Sequence, residues 1–554
     1  MNMKLKYVIY MTTALSLTSC NDAFLERSPQ SLNEQTFWVS INDLKAYANG
    51  FYGLLPAGVS NLDDTNSDTQ VPNNINTFLW GQYVVPTEGG VWGKSSWSNI
   101  RNLNYFMTHY QRVQGAEADI NTYVGEIRFF RALEYFNKIK TLGDVPWLEE
   151  DLNVDSEELY GPKTARNEVA KKIIEDLDFA IKWLPNAGSE EANRLNKDIA
   201  RHVKARICLH EGTYYKYHTE LNYSSDVNSL LQQAVEASDA LINSGKYEIY
   251  NTGKPESDYH DVFTLADKSG LKEAILYIAY EEDKRQHNMS HGTQEAGCGF
   301  SKDFVDCILY EDGLPKALTS LPTADNTIKE EMAGRDLRFS QLIKNDAYLS
   351  AEELAKPNYD DNYVDNWHLS GYHTIKGFIP GLDSGYFVEF TDGIAYRYAE
   401  TLLINAEAKA ELGTLTQADL DKTINVLRDR VAMRHLTLNV GFTDPNWPDY
   451  GYSLSPVLQE IRRERRVELA GEGFRFDDLC RWKAGKLLDN VMTYVGKKLS
   501  SGKYAIVYPN YTNDDFSYQE GKSRKWDDKM YLYPIPTGEL QRNPQLLPQN
   551  PGWE

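Results

Sequence analysis

Residues 456–486 read PVLQEIRRERRVELAGEGFRFDDLCRWKAGK. Pro456 suits the first turn of a helix, where its missing N–H is no loss. Gln459 to Leu469 contains no breaker, and Glu460, Glu464 and Glu468 recur every four residues, so they share one helical face. Arg463 and Arg465 flank that row. Gly471 and Gly473 end the helix, and Asp477, Leu479 and Trp482 open a second one, expected to run to about Leu488. The stretch therefore predicts a helix–turn–helix pair with an unusually charged first arm. Two readings of the glutamate row follow. Either it is a solvated, salt-bridged face, or it is a partly buried ion network that locks this pair against the next. A metal role is excluded locally, because no histidine completes a helical Glu-x-x-His pattern.

Working outward, other stretches show the same period. Upstream, Ala395, Ala399, Leu402, Ala406 and Ala410 form a stripe ended by Gly413, and Thr416 with Asp419 forms a capping box ahead of Leu420, Ile424, Leu427 and Val431. Val124, Ile127, Phe130, Leu133, Phe136 and Ile139 step by threes, which spreads the apolar surface around the helix and predicts deep burial. Val169 to Leu184, Ile199 to Tyr217 and Leu231 to Ile242 give three further stripes. Four helix pairs result, at about 121–184, 199–244, 395–432 and 456–488. Pairs that cannot bury their faces alone stack on one another. The fold class predicted is mostly α: tetratricopeptide-like helix pairs forming a scaffold, with a large loop-rich insertion at about 246–393 containing short strands such as Ala274 to Tyr280.

The chain has 554 residues and a net charge of −22, which argues against nucleic acid, whose phosphates need a basic face. Its N-terminus reads MNMKLKYVIYMTTALSLTSC. Lys4 and Lys6 precede an apolar run, Tyr7 to Leu17, that is too short to span a membrane as a mature helix. Leu17-Thr18-Ser19-Cys20 resembles a bacterial lipobox, which implies cleavage before Cys20 and attachment of diacylglycerol to it. Removal of the leader takes the net charge from −22 to −24. The expected organisation is a lipoprotein signal peptide at 1–19, a polar tether at 20–36 and one domain at 37–554. Within it, helical scaffold occupies about 121–244 and 395–488, and loops about 56–98 and 246–393.

Of the other cysteines, Cys208 and Cys480 lie in helical patterns and read as buried thiols, while Cys298 and Cys307 are close enough to pair across a loop. Asp64, Asn66 and Asp68 have the alternate spacing of a calcium loop, but Thr69 and Ile75 stand where its glycine and closing glutamate belong, so no metal site is expected. There is no G-x-S-x-G, H-E-x-x-H, phosphate loop or G-x-G-x-x-G, and no cofactor is expected.

Five stretches together resemble the SusD/RagB family of outer-membrane nutrient-binding lipoproteins. They are the lipobox at Cys20, GEIRFFRALEYFNKIKTLGDVPW at 125–147, YRYAETLLINAEAKAELG at 396–413, EIRRERRVELAGEGFRFDDLCRW at 460–482 and YPIPTGELQRNPQLLPQNPGW at 533–553. The resemblance implies a tetratricopeptide-like scaffold whose loops carry the ligand site, a lipid anchor in the outer membrane at the cell surface, and a SusC-like TonB-dependent transporter as partner. It also implies capture of oligosaccharide or polysaccharide rather than catalysis. The alternatives are a peptide-binding lid of a similar transporter and a glycoside hydrolase.

A sugar site needs flat rings for the C–H face and polar side chains for the hydroxyl rim. Two loop regions combine them. The first offers Asp68, Asn73, Asn74, Trp80, Tyr83 and Trp92; the second offers Tyr359, Asp361, Tyr363, Asp365, Trp367, His368 and Tyr372. For each ring the competing role is to pin its own loop to the scaffold, as Trp97 is expected to do in a helical stretch.

Overall fold

A computed structural model describes residues 37–71, 76–191, 193–295, 297–365, 367–382, 385–506 and 524–554. The leader, the tether, Cys20, Asn73 and Asn74 lie outside the described residues.

Short helix α1 (Ile41–Asn49) starts at a Ser40–Asp43 capping box. Helix α2 (Lys94–His109) buries Ile100, Leu103 and Phe106; it begins inside the stretch the sequence reading leaves as loop. α3 (Glu117–Leu142) is buried on several sides, as steps of three require. It packs on α4 (Arg166–Trp183), and α5 (Lys197–Tyr217) packs on α6 (Ser224–Ile242). α7 (Met289–Gln294) is a short helix of the insertion. α8 (Tyr398–Leu412) lies against α5 and α6 and against α11 (Pro456–Glu468), and is buried almost all round. Between them α9 (Gln417–Lys422) and α10 (Ile424–Arg430) replace the one helix expected, because Thr423 leaves helical geometry at ψ −85°. α12 (Arg475–Arg481) ends earlier than the Leu488 expected, and two 3₁₀ stretches, Gly485–Asp489 and Val491–Tyr494, follow. The four helix pairs thus form, and one apolar core runs through Ile127, Leu177, Val203, Leu403 and Ile461.

The insertion is tied back to the scaffold by short antiparallel ladders. β1 (Gln70–Val71) pairs with β3 (Gly299–Phe300). β2 (Ala274–Ile278) pairs with β4 (Gly393–Arg397), and β4 runs directly into α8, so a strand in the first part of the insertion is joined to the insertion's end. β5 (Val495–Lys498) pairs with β6 (Tyr504–Ile506). Cys298 and Cys307 are free thiols, not a disulfide: the first precedes β3, and the helix Lys302–Cys307 carries the second away from it. Cys208 and Cys480 are buried.

The glutamate row of α11 is internal. Glu468 accepts from Arg430 at 2.6 and 2.7 Å, from Arg397 at 2.6 Å and from Arg338 at 3.0 Å. Glu464 takes Arg428 at 2.8 Å and Arg338 at 2.6 Å, and Glu460 takes the Trp447 indole at 2.7 Å. On the next pair, Arg481 grips Glu407 through two bonds and Trp482 donates to the same carboxylate. α11 and α12 are therefore bolted to α8, α10, β4 and the insertion by charge as well as by apolar contact. Such networks hold only when every carboxylate is paired.

Candidate functional site

The two loop regions singled out in the sequence come together. β1 lies beside β3, and Phe300 N–H donates to the Tyr372 carbonyl at 2.9 Å. Gly299 admits no side chain, since a Cβ there would sit 2.4 Å from Ser370 Oγ. Val71 shares a small apolar cluster with Tyr494 and Val495, against which Leu369 packs. The end of β1 therefore lies next to the loop that carries Leu369 and Trp367.

The candidates then divide by what their side chains already do. Asp68 is buried and salt-bridged to Arg475, so its carboxylate serves the scaffold, not a ligand. Tyr372 is fully buried and its hydroxyl donates to Glu331 at 2.7 Å. Trp92 is buried edge-on to Trp97, and Tyr83 stands edge-on to Phe78 and Tyr533. These four rings and acids correct the sequence expectation: each pins a loop. Trp80 is half-buried, edge-on to Tyr494 at 5.8 Å. Asp361 accepts from the Ser500 backbone at 2.8 Å.

Trp367 is different. Its residue is 53% exposed, yet its backbone is held, because Asp365 Oδ1 accepts both its N–H at 2.7 Å and His368 Nδ1 at 2.9 Å. The His368 ring lies 3.7 Å from that of His373, which reaches the Thr293 carbonyl in α7 at 3.2 Å. Tyr359 and Tyr363 both donate to Asp346 at 3.0 Å. Tyr359, Tyr363, Asp365, His368 and His373 line a cavity of about 120 Å³, with Lys344, Lys356 and Glu353 on its wall. Trp367, between Asp365 and His368 in the chain, is just outside that lining. That is room for several hydroxyl-sized groups.

The electrostatics suit neutral hydroxyls. Burial, reinforced by the neighbouring His368, holds the His373 imidazole well below its ordinary pKa. Burial alone would raise the Asp365 carboxyl, but the His368 hydrogen bond and charge bring it below its ordinary value. Burial and then Asp346 push the Tyr359 hydroxyl up to about 12. The face thus presents two acids, Asp365 and Glu353, two lysines, Lys344 and Lys356, and neutral phenols with the neutral His373 imidazole, near an exposed indole.

Sequence reasoning missed a second exposed group, Tyr386, Phe387, Val388 and Phe390. Tyr386 lies on His291 of α7 at 3.9 Å between ring centroids. Buried Glu389 anchors the segment by accepting from Ser290 N–H and Oγ. The run YFVEF in a loop-rich insertion was the available signal. Among the described residues no group of three or more His, Cys, Asp or Glu is arranged to hold a metal ion.

The SusD family model matches residues 210–553. The chain belongs to the SusD family. SusD-like protein P2 of Formosa agariphila is 24% identical over 586 aligned positions, with 100% of both chains covered. SusD-like protein P25 of the same organism is 25% identical, covering 98% of this chain and 97% of its own. Among solved structures, a SusD-like protein from Bacteroides fragilis matches with a TM-score of 0.69 at 24% identity, over 93% of this chain and 98% of its own. A laminarin-binding SusD-like protein matches with a TM-score of 0.55 at 20% identity, over 93% and 100%. These structures share the SusD fold with this chain.

Proposed function

We propose that this SusD-family protein binds oligosaccharide or polysaccharide at the cell surface and delivers it to a SusC-like TonB-dependent outer-membrane transporter. A lipid on Cys20 holds it to the outer membrane. The observation that carries the reading is Trp367: an exposed indole on a fixed backbone, beside a polar cavity lined by Tyr359, Tyr363 and His368. An indole face covers the C–H side of a sugar, and the cavity takes hydroxyls from its rim. Family membership and the laminarin-binding neighbour support the same ligand class. In this reading the protein binds and does not cleave.

A peptide ligand is the second reading, and Phe387, Val388 and Phe390 favour it, since they are exposed and offer no side-chain hydrogen bond to a sugar rim. Calorimetry against a panel of soluble polysaccharides and peptides separates the two. Binding to a polysaccharide, with no release of reducing ends, is the expected result. Binding to peptides alone overturns the glycan reading, and release of reducing sugar by the pure protein overturns the non-catalytic one.

A further inference from the structure

A cavity of about 430 Å³ lies along α11, bounded by the 444–450 loop, the 315–317 turn and the helix Lys302–Cys307. It shares no lining residue with the cavity beside Trp367. Its volume falls in the range of small-molecule pockets, roughly 300–1,000 Å³.

Its chemistry is mixed in a particular way. The half-buried Trp447 is fixed by its indole N–H, which donates to Glu460 at 2.7 Å. Two ion pairs reach the lining, Arg463 with Asp444 at 2.5 Å and Arg466 with Asp303 at 2.8 Å. Arg462 is buried against the Trp482 and Tyr450 rings, and its Nε has no hydrogen-bond partner. The side-chain oxygen of Gln459, also on the lining, has none either.

A buried donor and a buried acceptor left unpaired each cost about 1–3 kcal/mol. Lys316 and Arg475 also line the cavity but are paired with Asp325 and Asp68. A simple anion would therefore gain the Arg462 Nε, leave the Gln459 oxygen unpaired and meet Asp303, Asp306 and Asp444 as like charges. A cation would fail against the arginines in the same way. A hydroxyl both accepts and donates, and a ring carrying several hydroxyls also has a C–H face for an indole.

We propose that this cavity is a second saccharide-binding site, taking a short oligosaccharide with one ring against Trp447 and its hydroxyls between Arg462, Gln459 and the Arg463–Asp444 pair. The inference rests on the glycan reading for its ligand class but on none of the residues of the first face.

Cys307 supplies the test, because it is a free, half-buried thiol on the cavity wall. Its alkylation by N-ethylmaleimide in the full chain, followed by mass spectrometry, reports whether the cavity is filled. With a saturating polysaccharide from the panel, the rate falls at least fivefold in the wild type and in Trp367→Ala. In Ala317→Trp, at an exposed position on the rim, the fall disappears while the fold is kept. If calorimetry shows polysaccharide binding that Trp367→Ala abolishes, and the Cys307 rate is unchanged by sugar, the cavity holds only solvent and the inference is overturned while the first face stands. Protection of Cys307 that survives Trp367→Ala, with no change in binding heat in that variant, supports this site and overturns the first. No heat and no protection with any saccharide overturns both.

Discussion

Arg475 grips both carboxylate oxygens of Asp68, Nε to Oδ1 at 2.7 Å and Nη2 to Oδ2 at 2.8 Å, across 407 residues of chain. Arg466 adds a bond from Nη2 to the Asp68 carbonyl at 2.7 Å. The start of α12 and the loop that leads into β1 are therefore one unit, and β1 in turn sets the position of the Trp367 loop.

Asp68→Asn should consequently act on stability. It leaves a buried arginine with half its partner, a change that costs about 3–5 kcal/mol. Urea unfolding should show a lower midpoint with the slope unchanged. A midpoint equal to wild type would mean that the pair does not clamp the loop.

Trp367→Ala and Trp80→Ala separate ligand contact from loop support. Trp367 is exposed, so its removal should leave the melting temperature within a degree or two and weaken glycan binding by at least ~2 kcal/mol, about 30-fold. Trp80 is half-buried against Tyr494, so its loss should lower stability as well as affinity. Paired calorimetry and thermal melts check both; unchanged affinity in both variants would remove this face from the site.

How much of this was readable in the chain follows from what makes a pattern periodic. The stripes of α3 to α6 were legible because burial on a helix repeats every three or four residues. α2 was not fully seen, since Asn and Thr are interleaved among Ile100, Leu103 and Phe106. The fate of the glutamate row was undecidable from its own stretch: the partners of Glu468 are Arg338, Arg397 and Arg430, and ion pairing between distant segments leaves no local period. Among the loop aromatics, composition marked Trp367 and Tyr372 alike. One lies outside and the other inside because a loop of no regular spacing carries no record of which side faces the core.

The buried acids set the pH dependence. Burial by itself would raise Glu411 and Glu472, but Arg462 and Lys216 around the first, and Arg397 and Lys376 around the second, hold both below the ordinary carboxylate value. A depressed pKa contributes stability that is present above the unfolded value, about 4.3, and is lost as pH falls through the folded one. Asp64 runs the other way. Burial pushes its carboxyl up to about 7 although it accepts the Gly471 and Arg475 N–H groups. Its contribution is full below about 3.9 and is lost as pH rises towards 7, with a slope of at most ~1.4 kcal/mol per pH unit. Urea midpoints measured from pH 3 to 8 should thus collapse below about pH 4. Asp64→Asn should flatten the decline between pH 4 and 7, and an identical slope in that variant would show that Asp64 stays ionised throughout.

Cys20→Ala tests the anchor. No helix among the described residues is long and apolar enough to cross a membrane, and in the proposed reading the lipid on Cys20 supplies the attachment. Each buried methylene contributes about 0.8 kcal/mol, so one acyl chain holds reversibly and two or three hold firmly. Metabolic labelling with a fatty acid should mark the wild type and leave the variant unmarked. After a high-salt wash to release protein-mediated contacts, the variant should leave the outer-membrane fraction while the wild type remains. Label on the variant would place the acyl group on another residue. Retention of an unlabelled variant through the wash would mean that the protein is held by something other than lipid.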